Sequence, residues 1–218
     1  ALFEQARLVD PRRIRLIPGS GVDCRRFVPA LGRGATQTFS VLLPARLLWD
    51  KGLAEYVEAS RLLRAAGRGV VFLLAGEPDP GNPAAVPLAT VTGWVAAGLV
   101  EWLGHVADMP ALFASVDAVV LPSYREGLPK GLIEAAACAL PLVTTDVPGC
   151  REVVSDGVDG LLVPLKDAAA LAAAIARLAD DRGLCARLGA AAREKALAEF
   201  DERIVLERTL AVYRELLG

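Results

Sequence analysis

Short apolar runs alternate with longer helical patterns along the chain, and this alternation constrains the fold more than any other feature of the sequence. Strands that are buried on both faces appear as continuous apolar runs, and strands separated by helices pair in parallel. The sequence therefore predicts an α/β domain with three layers, in which helices cover both faces of a parallel sheet. The predicted strands are Arg15–Pro18, Phe39–Ala45, Val70–Ala75, Val100–Leu103, Ala118–Leu121, Leu142–Thr144 and Gly160–Val163.

Helical periodicity fills the segments between these runs. Leu53, Val57 and Leu63 recur at helical spacing in the first of them, and Asp167 is a suitable N-cap for a later one. No repeat, linker or second-domain boundary interrupts the pattern, so a single domain over residues 1–218 is predicted. The predicted helices are Gly52–Ala66, Pro110–Ser115, Lys130–Ala139, a helix from Asp167 to about Leu178, Arg182–Ala198 and Glu202–Leu217, with Gly81–Pro87 as a surface loop.

Charge and composition argue against several classes of function. The chain has 24 basic and 26 acidic residues spread along its length, which predicts no binding surface for nucleic acid. Its alanine-rich stretch Ala168–Ala179 contains Arg177 and is shorter than the roughly 20 residues that span a bilayer, so no transmembrane segment is expected. Four cysteines without Cys-x-x-Cys spacing and a single histidine predict reduced, cytoplasmic thiols and no metal site.

The common nucleotide and hydrolase motifs are also missing from the sequence. There is no Gly-Lys dipeptide, which excludes a Walker-type phosphate loop. Gly19-Ser-Gly21 begins like a dinucleotide-binding motif, but Cys24 stands at the position of the third glycine. His105 is the only imidazole and no Gly-x-Ser-x-Gly sequence occurs, so a serine-hydrolase triad has little support.

A pair of cations follows the predicted strand Phe39–Ala45. Arg46 comes directly after this strand and Lys51 lies at the start of the next predicted helix. Both can therefore face the crevice at the carboxyl edge of the sheet, where ligands bind in open α/β sheets. A guanidinium and an ammonium can neutralise a diphosphate without a metal ion. The alternative is that the two charges simply flank a surface loop.

A second polar segment follows the predicted strand Ala118–Leu121. Pro129 suits the first turn of the next helix, and Gly127 allows the backbone to approach a ligand closely. Unpaired amides at that helix start favour negative charge. Glu134 lies on an otherwise apolar helix, where a carboxylate needs hydrogen-bond donors such as ribose hydroxyls. The alternative is that Glu134 belongs to a buried structural ion pair.

Taken together, these segments resemble a known family. The sequence Glu126-Gly-Leu-Pro-Lys-Gly-Leu-Ile-Glu134, preceded by Arg46-Leu-Leu-Trp-Asp-Lys-Gly52, is similar to the motifs of the family 4 retaining glycosyltransferases of the GT-B fold. The resemblance covers nearly the whole chain, in order and at the family's spacing. Its further motifs are Pro18-Gly-Ser-Gly-Val-Asp23, Leu103-Gly-His-Val106, Thr145-Asp-Val-Pro-Gly-Cys-Arg-Glu152 and Asp156-Gly-Val-Asp-Gly-Leu-Leu-Val-Pro164.

The resemblance implies a role for each matching residue in catalysis. It makes the chain a Rossmann-like domain, the C-terminal, nucleotide-sugar-binding half of a GT-B fold. Arg46 and Lys51 match the pair that grips the donor diphosphate, and Glu126 matches the carboxylate that touches the transferred sugar. The resemblance thus gives Glu126, Arg46 and Lys51 as the catalytic residues.

It also implies which residues bind the nucleotide. Glu134 matches the carboxylate that accepts from the ribose, and Val106 matches the residue whose backbone reads the base. Backbone groups at Gly127, Leu128 and Lys130 are expected to meet phosphate or sugar.

The resemblance further implies a partner domain. Family members carry an amino-terminal Rossmann-like domain that binds the acceptor, and we expect this chain to be excised from such a protein, with Glu202–Leu217 as the helix that packs back towards the other half. The isolated domain is then expected to bind donor without transferring sugar. The expected location is the cytoplasm, with attachment at the inner membrane through the other domain.

The expected reaction transfers a hexose or N-acetylhexosamine, with retention, from a nucleotide-diphosphate sugar. The expected donor is a UDP-sugar and the expected acceptor a glycan or polyprenyl-linked glycan, with no cofactor and no metal. Two alternatives stay open at this point. One is a nucleotide-sugar epimerase or phosphorylase of the same architecture, and the other is a noncatalytic nucleotide-binding module.

Overall fold

A parallel sheet lies at the centre of the part of the chain that the computed structural model describes, which is Asp10, Ile14, Arg15, Ile17, Gly19 and residues 21–30 and 38–217. Within these residues the sheet has six strands. They are β1 (Phe39–Pro44), β2 (Val70–Ala75), β3 (Glu101–Gly104), β4 (Ala118–Leu121), β5 (Leu142–Thr145) and β6 (Leu161–Val163). Their order across the sheet is β3-β2-β1-β4-β5-β6.

The strand order reverses between β1 and β4. These strands are neighbours, with Val41 beside Ala118 and Leu42 beside Val119, although two other strands separate them in sequence. The chain builds one half of the sheet outward from β1 and then returns to build the other half outward from β4. At such a reversal the loops that follow the two central strands diverge and leave a crevice at the carboxyl edge. The segments after Pro44 and Leu121 therefore border this crevice.

Helices connect the strands and cover the sheet. A 3-10 turn, Trp49–Lys51, precedes the first helix, and a π-helical turn, Ala196–Phe200, follows the seventh. None of the helices in the described residues is both long and apolar enough to cross a membrane. The helices are α1 (Leu53–Ala65), α2 (Leu88–Ala96), α3 (Met109–Ser115), α4 (Lys130–Ala137), α5 (Pro148–Val153), α6 (Ala168–Asp180), α7 (Arg182–Lys195) and α8 (Glu202–Leu217).

The core has two apolar clusters, one on each face of the sheet. Successive side chains of a strand point to opposite faces, and β1 accordingly places Val41 and Leu43 in one cluster and Leu42 in the other. Helices α1 and α6 contribute to the first cluster, and α4 contributes Leu132 and Ile133 to the second. The central strands are thus buried on both faces, and the predicted three-layer, Rossmann-like α/β fold is confirmed.

Most predicted boundaries lie within two residues of the observed ones, but two helices were not predicted. Helix α2 contains two threonines and a glycine, which are poor helix formers, and it buries only Val91. Helix α5 is only six residues long. The helix predicted to reach Ala139 ends at Ala137, because Ala139 takes a left-handed backbone conformation with φ of 57°.

The predicted amino-terminal strand Arg15–Pro18 is not supported by the residues that can be described. Arg15 and Ile17 have no regular secondary structure, while Leu16 and Pro18 lie outside the described residues.

A buried tyrosine on α1 links the helix to the middle of the sheet. The hydroxyl of Tyr56 lies 2.9 Å from the carbonyl oxygens of both Val41 and Leu73, so it bridges the backbones of β1 and β2. The side chain is fully buried among apolar residues. Two strand carbonyls thus share a single hydroxyl donor.

We predict that Tyr56→Phe lowers the free energy of unfolding by about 1–2 kcal/mol, because two buried carbonyls lose their shared donor. Urea unfolding at pH 7 measures this difference, with an unchanged m-value. The control is Tyr213→Phe on α8, whose side chain is 58% exposed and which should alter stability by less than about 0.5 kcal/mol. Equal effects of the two substitutions would contradict the assignment.

Candidate functional site

The loops that follow β1 and β4 touch each other at the crevice. Gly52 has φ of 74°, and a Cβ at this position would lie 2.1 Å from the carbonyl oxygen of Pro122. Only glycine satisfies both the left-handed conformation and the close approach. The backbone amide of Tyr124 also donates to the carbonyl of Asp50 at 2.8 Å. These contacts bring the residue before Gly52, Lys51, next to the segment that carries Glu126.

Lys51 and Glu126 form a direct ion pair. Lys51 Nζ lies 2.6 Å from Glu126 Oε1, and the two side chains are 21% and 11% exposed. The hydroxyl of Ser123 donates to the same oxygen at 2.5 Å. Two charge-assisted hydrogen bonds therefore compensate the desolvation of this carboxylate. The sequence placed both residues at one crevice but did not predict that they bond to each other.

Arg46 occupies the outer part of the same loop. Its guanidinium donates to Asp79 Oδ2 at 2.7 Å, and its side chain is 63% exposed. Asp79 belongs to the loop after β2, which is also held by a hydrogen bond from Leu47 N to Glu77 O. Arg46 thus lies at the carboxyl edge of the sheet, as predicted, with a carboxylate partner that the sequence did not indicate.

Helix α4 carries the second predicted glutamate. Glu134 is 15% exposed, and its Oε1 lies 3.8 Å from Lys130 Nζ, one turn earlier. Burial raises the pKa of the Glu134 carboxyl, while the charges of Lys130 and Arg26 oppose this shift. Pro129 is the residue before the helix and not within its first turn, and its carbonyl accepts the first helical hydrogen bonds.

Glu134 also lines a cavity between α4 and the ends of β1 and β2. The cavity has a volume of about 260 Å³ and is bordered by Pro44, Val106, Gly131 and Glu134 among others. Val106 and Glu134, to which the family resemblance assigns the base and the ribose, therefore share one cavity. Lys130 lines a neighbouring cavity of about 440 Å³, to which Glu134 also contributes.

The two residues after Glu126 have different surroundings. A Cβ added to Gly127 would meet nothing within 4 Å, so there is open space beside this backbone. The Leu128 side chain instead packs against the core and against Gly19, where an added Cβ would lie 2.7 Å from Leu128 Cδ2. Any contact of Leu128 with a ligand is therefore left to its backbone.

Several polar contacts of the site were not predicted. The Tyr124 hydroxyl donates to the carboxylate of Glu55, with oxygen distances of 2.8 and 2.9 Å, and Lys166 Nζ lies 4.7 Å from the centre of its ring. Ser123 is the other missed residue, and its place two residues after the end of β4 and three residues before Glu126 was the available signal. The remaining pairings join segments distant in sequence, and no local pattern indicates them.

Comparison with known proteins identifies the family. The sequence profile described as "Glycosyl transferases group 1" matches residues 38–181, which include both loops at the crevice. The chain belongs to this glycosyltransferase family.

Relatives and solved structures agree with this assignment. Over 177 residues the chain is 36% identical to N,N'-diacetylbacillosaminyl-diphospho-undecaprenol alpha-1,3-N-acetylgalactosaminyltransferase of Campylobacter jejuni, covering 81% of this chain and 45% of that protein. It is 28% identical over 187 residues to UDP-Gal:alpha-D-GlcNAc-diphosphoundecaprenol alpha-1,3-galactosyltransferase of Escherichia coli, covering 81% and 48%. The structure is similar to sucrose-phosphate synthase from Thermosynechococcus elongatus, with a TM-score of 0.80, 28% identity, and coverage of 100% and 57%. The chain spans about half the length of the curated relatives it matches.

The raised pKa of Glu134 predicts a pH-dependent stability difference in this glycosyltransferase domain. The folded state binds the Glu134 proton more tightly than the unfolded state, so this group's contribution to stability is largest below the ordinary glutamate pKa. It is lost as pH rises through the raised folded pKa. Glu134→Gln cannot ionise, so its stability relative to the parent should increase from pH 4 to pH 8. Denaturant unfolding at each pH measures this.

Glu199→Gln is the control for that comparison, because Glu199 is exposed and far along the chain from the crevice. If the stability of Glu134→Gln relative to the parent stays constant or falls as the pH rises, the assigned shift is contradicted.

The ion pair between Lys51 and Glu126 predicts strong energetic coupling. Lys51→Met leaves a nearly buried carboxylate without its cation and should lower the free energy of unfolding by about 1–3 kcal/mol. The same substitution in a Glu126→Gln background should cost less, because no charge is then left unpaired. Urea unfolding of the four proteins gives the coupling energy.

Lys130→Met is the matched control, because Lys130 is 64% exposed and lies 3.8 Å from its glutamate. Its removal should change stability by less than about 1 kcal/mol. A coupling energy near zero for Lys51 and Glu126 would mean that the ion pair does not form in solution.

Proposed function

We propose that this chain is the donor-binding half of a retaining glycosyltransferase. It binds a UDP-sugar and takes part in transferring a hexose or N-acetylhexosamine to a glycan or polyprenyl-linked acceptor. The observation that carries the proposal is the Lys51–Glu126 pair at the strand-order reversal, beside a cavity lined by Glu134 and Val106. Cations and carboxylates at this edge of the sheet support a site for the phosphate, sugar and nucleoside of a donor.

In this proposal Arg46 and Lys51 bind the donor diphosphate. Both cations are paired with carboxylates in this structure, Arg46 with Asp79 and Lys51 with Glu126. A diphosphate carries more negative charge than one carboxylate, so it can compete for both. Lys51 has three N–H groups and can keep Glu126 while it donates to a phosphate oxygen.

Glu126 and Glu134 have separate roles. Glu134 and the backbone of Val106 hold the ribose and the base in the cavity that they share. Glu126 contacts the transferred sugar, and the open space beside Gly127 leaves room for that sugar near the backbone. The amides of Leu128 and Lys130, at the start of α4, meet phosphate or sugar oxygens.

The bond between the anomeric carbon and the diphosphate oxygen breaks through an oxocarbenium-like transition state. Negative charge grows on the leaving diphosphate, where Arg46, Lys51 and the start of α4 stabilise it. The acceptor hydroxyl attacks the anomeric carbon from the face that the diphosphate leaves, so the configuration is retained. The proton of this hydroxyl passes to the departing phosphate oxygen. We propose that these side chains neutralise the diphosphate without a metal ion or other cofactor.

The acceptor and the rest of the protein follow from the relatives. Both relatives quoted above are named for transfer to a sugar on diphospho-undecaprenol, and this chain spans about half of each. We therefore propose that a second domain binds a polyprenyl-linked or other glycan acceptor, and that the complete protein works in the cytoplasm at the inner membrane.

We predict that the isolated chain binds UDP weakly and that a chelator leaves this binding unchanged. Calorimetry with and without the chelator measures this.

Glu134→Gln should weaken UDP and UDP-sugar binding alike, by about tenfold, because the ribose loses a charged acceptor. Glu126→Gln should keep UDP affinity and lower kcat of the two-domain protein, as expected for a contact that strengthens in the transition state. Calorimetry and steady-state transfer kinetics measure the two effects.

Each result separates this function from its alternatives. Loss of UDP binding in the presence of the chelator would reject the proposal that the site binds the diphosphate without a metal ion. UDP binding by the two-domain protein without transfer would favour a noncatalytic module, and conversion of the donor without acceptor would favour an epimerase. If Glu126→Gln loses UDP binding while Glu134→Gln loses only turnover, the two roles are reversed.

A further inference from the structure

A buried serine donates a hydrogen bond to the carboxylate of Glu126. Ser123 is 0% exposed, and its Oγ donates to Glu126 Oε1 at 2.5 Å. Lys51 Nζ bonds to this same oxygen. Because both hydrogen bonds end on Oε1, Oε2 carries neither of them and is the oxygen that remains to meet a ligand hydroxyl.

The backbone under Glu126 is fixed by the neighbouring strand. The hydroxyl of Thr145, at the end of β5, donates to the carbonyl of Ser123. The hydroxyl of Thr144 donates in the same way to the carbonyl of Leu121 at 2.7 Å. All three hydroxyl-bearing residues are buried. The main chain between the end of β4 and Glu126 therefore has little freedom to move.

Gly149 of α5 packs closely against the backbone of the loop that carries Glu126. A Cβ added to Gly149 would lie 2.3 Å from the carbonyl oxygens of both Glu126 and Gly127. These are backbone atoms, so the loop itself would have to shift to make room. Gly149 does not have a left-handed φ, so what this position requires is space and not an unusual backbone conformation.

We propose that Ser123 and Gly149 are positioning residues that set the orientation of the Glu126 carboxylate towards the transferred sugar. Ser123 fixes the carboxylate through Oε1, and Gly149 allows the loop to settle against α5. This inference rests on the proposed function, since it takes Glu126 as the sugar contact. It gives a role to the motif Thr145–Glu152, to which the donor contacts proposed above assign none.

The test compares UDP with UDP-sugars on the 218-residue chain. Calorimetry gives Kd for UDP, UDP-glucose, UDP-galactose, UDP-N-acetylglucosamine and UDP-N-acetylgalactosamine, and the readout is the ratio of the Kd of UDP to that of the tightest UDP-sugar. Ser123→Ala should lower this ratio by about three- to tenfold while the Kd of UDP stays within twofold. A general loss of structure would weaken both ligands together.

A double-mutant cycle shows whether Ser123 acts through Glu126. In a Glu126→Ala background there is no carboxylate to orient, so Ser123→Ala should not change the ratio further. Ser60→Ala is the matched control, because Ser60 is also buried and donates to a backbone carbonyl, that of Leu99, at 2.6 Å. It should lower the melting temperature and leave the ratio unchanged.

Gly149→Ala tests the second residue independently and should lower the same ratio. Gly189→Ala on α7 is its control, since an added Cβ there would lie 2.1 Å from the carbonyl oxygen of Ala139, a comparable backbone clash away from Glu126. Both alanine variants should lose stability, but only Gly149→Ala should lose preference for the sugar. If Gly149→Ala does not fold, the Ser123 cycle still tests whether the orientation of the Glu126 carboxylate controls the preference for the sugar.

The outcomes separate this inference from the function on which it rests. If the unsubstituted chain binds neither UDP nor any UDP-sugar, the proposed function fails. If it binds both, and Ser123→Ala keeps the parent ratio or changes it equally with and without Glu126, the positioning role is rejected. A ratio that falls only while Glu126 is present supports it.

Discussion

The site depends on the close approach of two loops at the centre of the sheet. Because β1 and β4 are neighbours, the segments that follow them meet at Gly52 and the Pro122 carbonyl, in an approach that leaves no room for a Cβ. This contact places Lys51 within hydrogen-bond distance of Glu126. Neither loop alone contains both the cation and the carboxylate. The site is therefore a consequence of strand order, and a different sheet topology would separate its residues.

Charge pairing is the second constraint on the crevice. Arg46 and Lys51 each have a carboxylate partner, so the side chains proposed to bind phosphate are paired before any ligand arrives. The pairs differ in burial, since Lys51 and Glu126 are nearly buried while Arg46 is largely exposed. Exposed pairs contribute little to stability and exchange readily with solvent or ligand ions. Under the proposed function, Arg46 is thus the cation that a diphosphate recruits at least cost, while Lys51 keeps its bond to Glu126.

The sequence predicted the sheet well because its strands are buried on both faces. Val41, Leu42 and Leu43 are all apolar for this reason, and such runs are visible without any knowledge of the fold. The predicted strands also placed Arg46 and Lys51 after one strand and Glu126 after another, and the structure confirms both positions. Helices α2 and α5 were missed because α2 contains two threonines and a glycine and α5 is only six residues long, so neither leaves a clear helical pattern in the sequence.

Pairings between distant segments are what the sequence could not provide. Asp79 meets Arg46 across 33 residues, and Lys51 meets Glu126 across 75, so no local window contains both partners. Glycines show the same limit, because glycine is required at positions 52 and 149 for different physical reasons that the sequence does not reveal. Gly52 needs both a left-handed backbone and space beside the Pro122 carbonyl, whereas Gly149 needs only space beside the Glu126 carbonyl. The residue type alone indicates that a position is constrained. The neighbouring atoms in the fold determine whether the constraint is backbone conformation or space, and therefore what a substitution there would disturb.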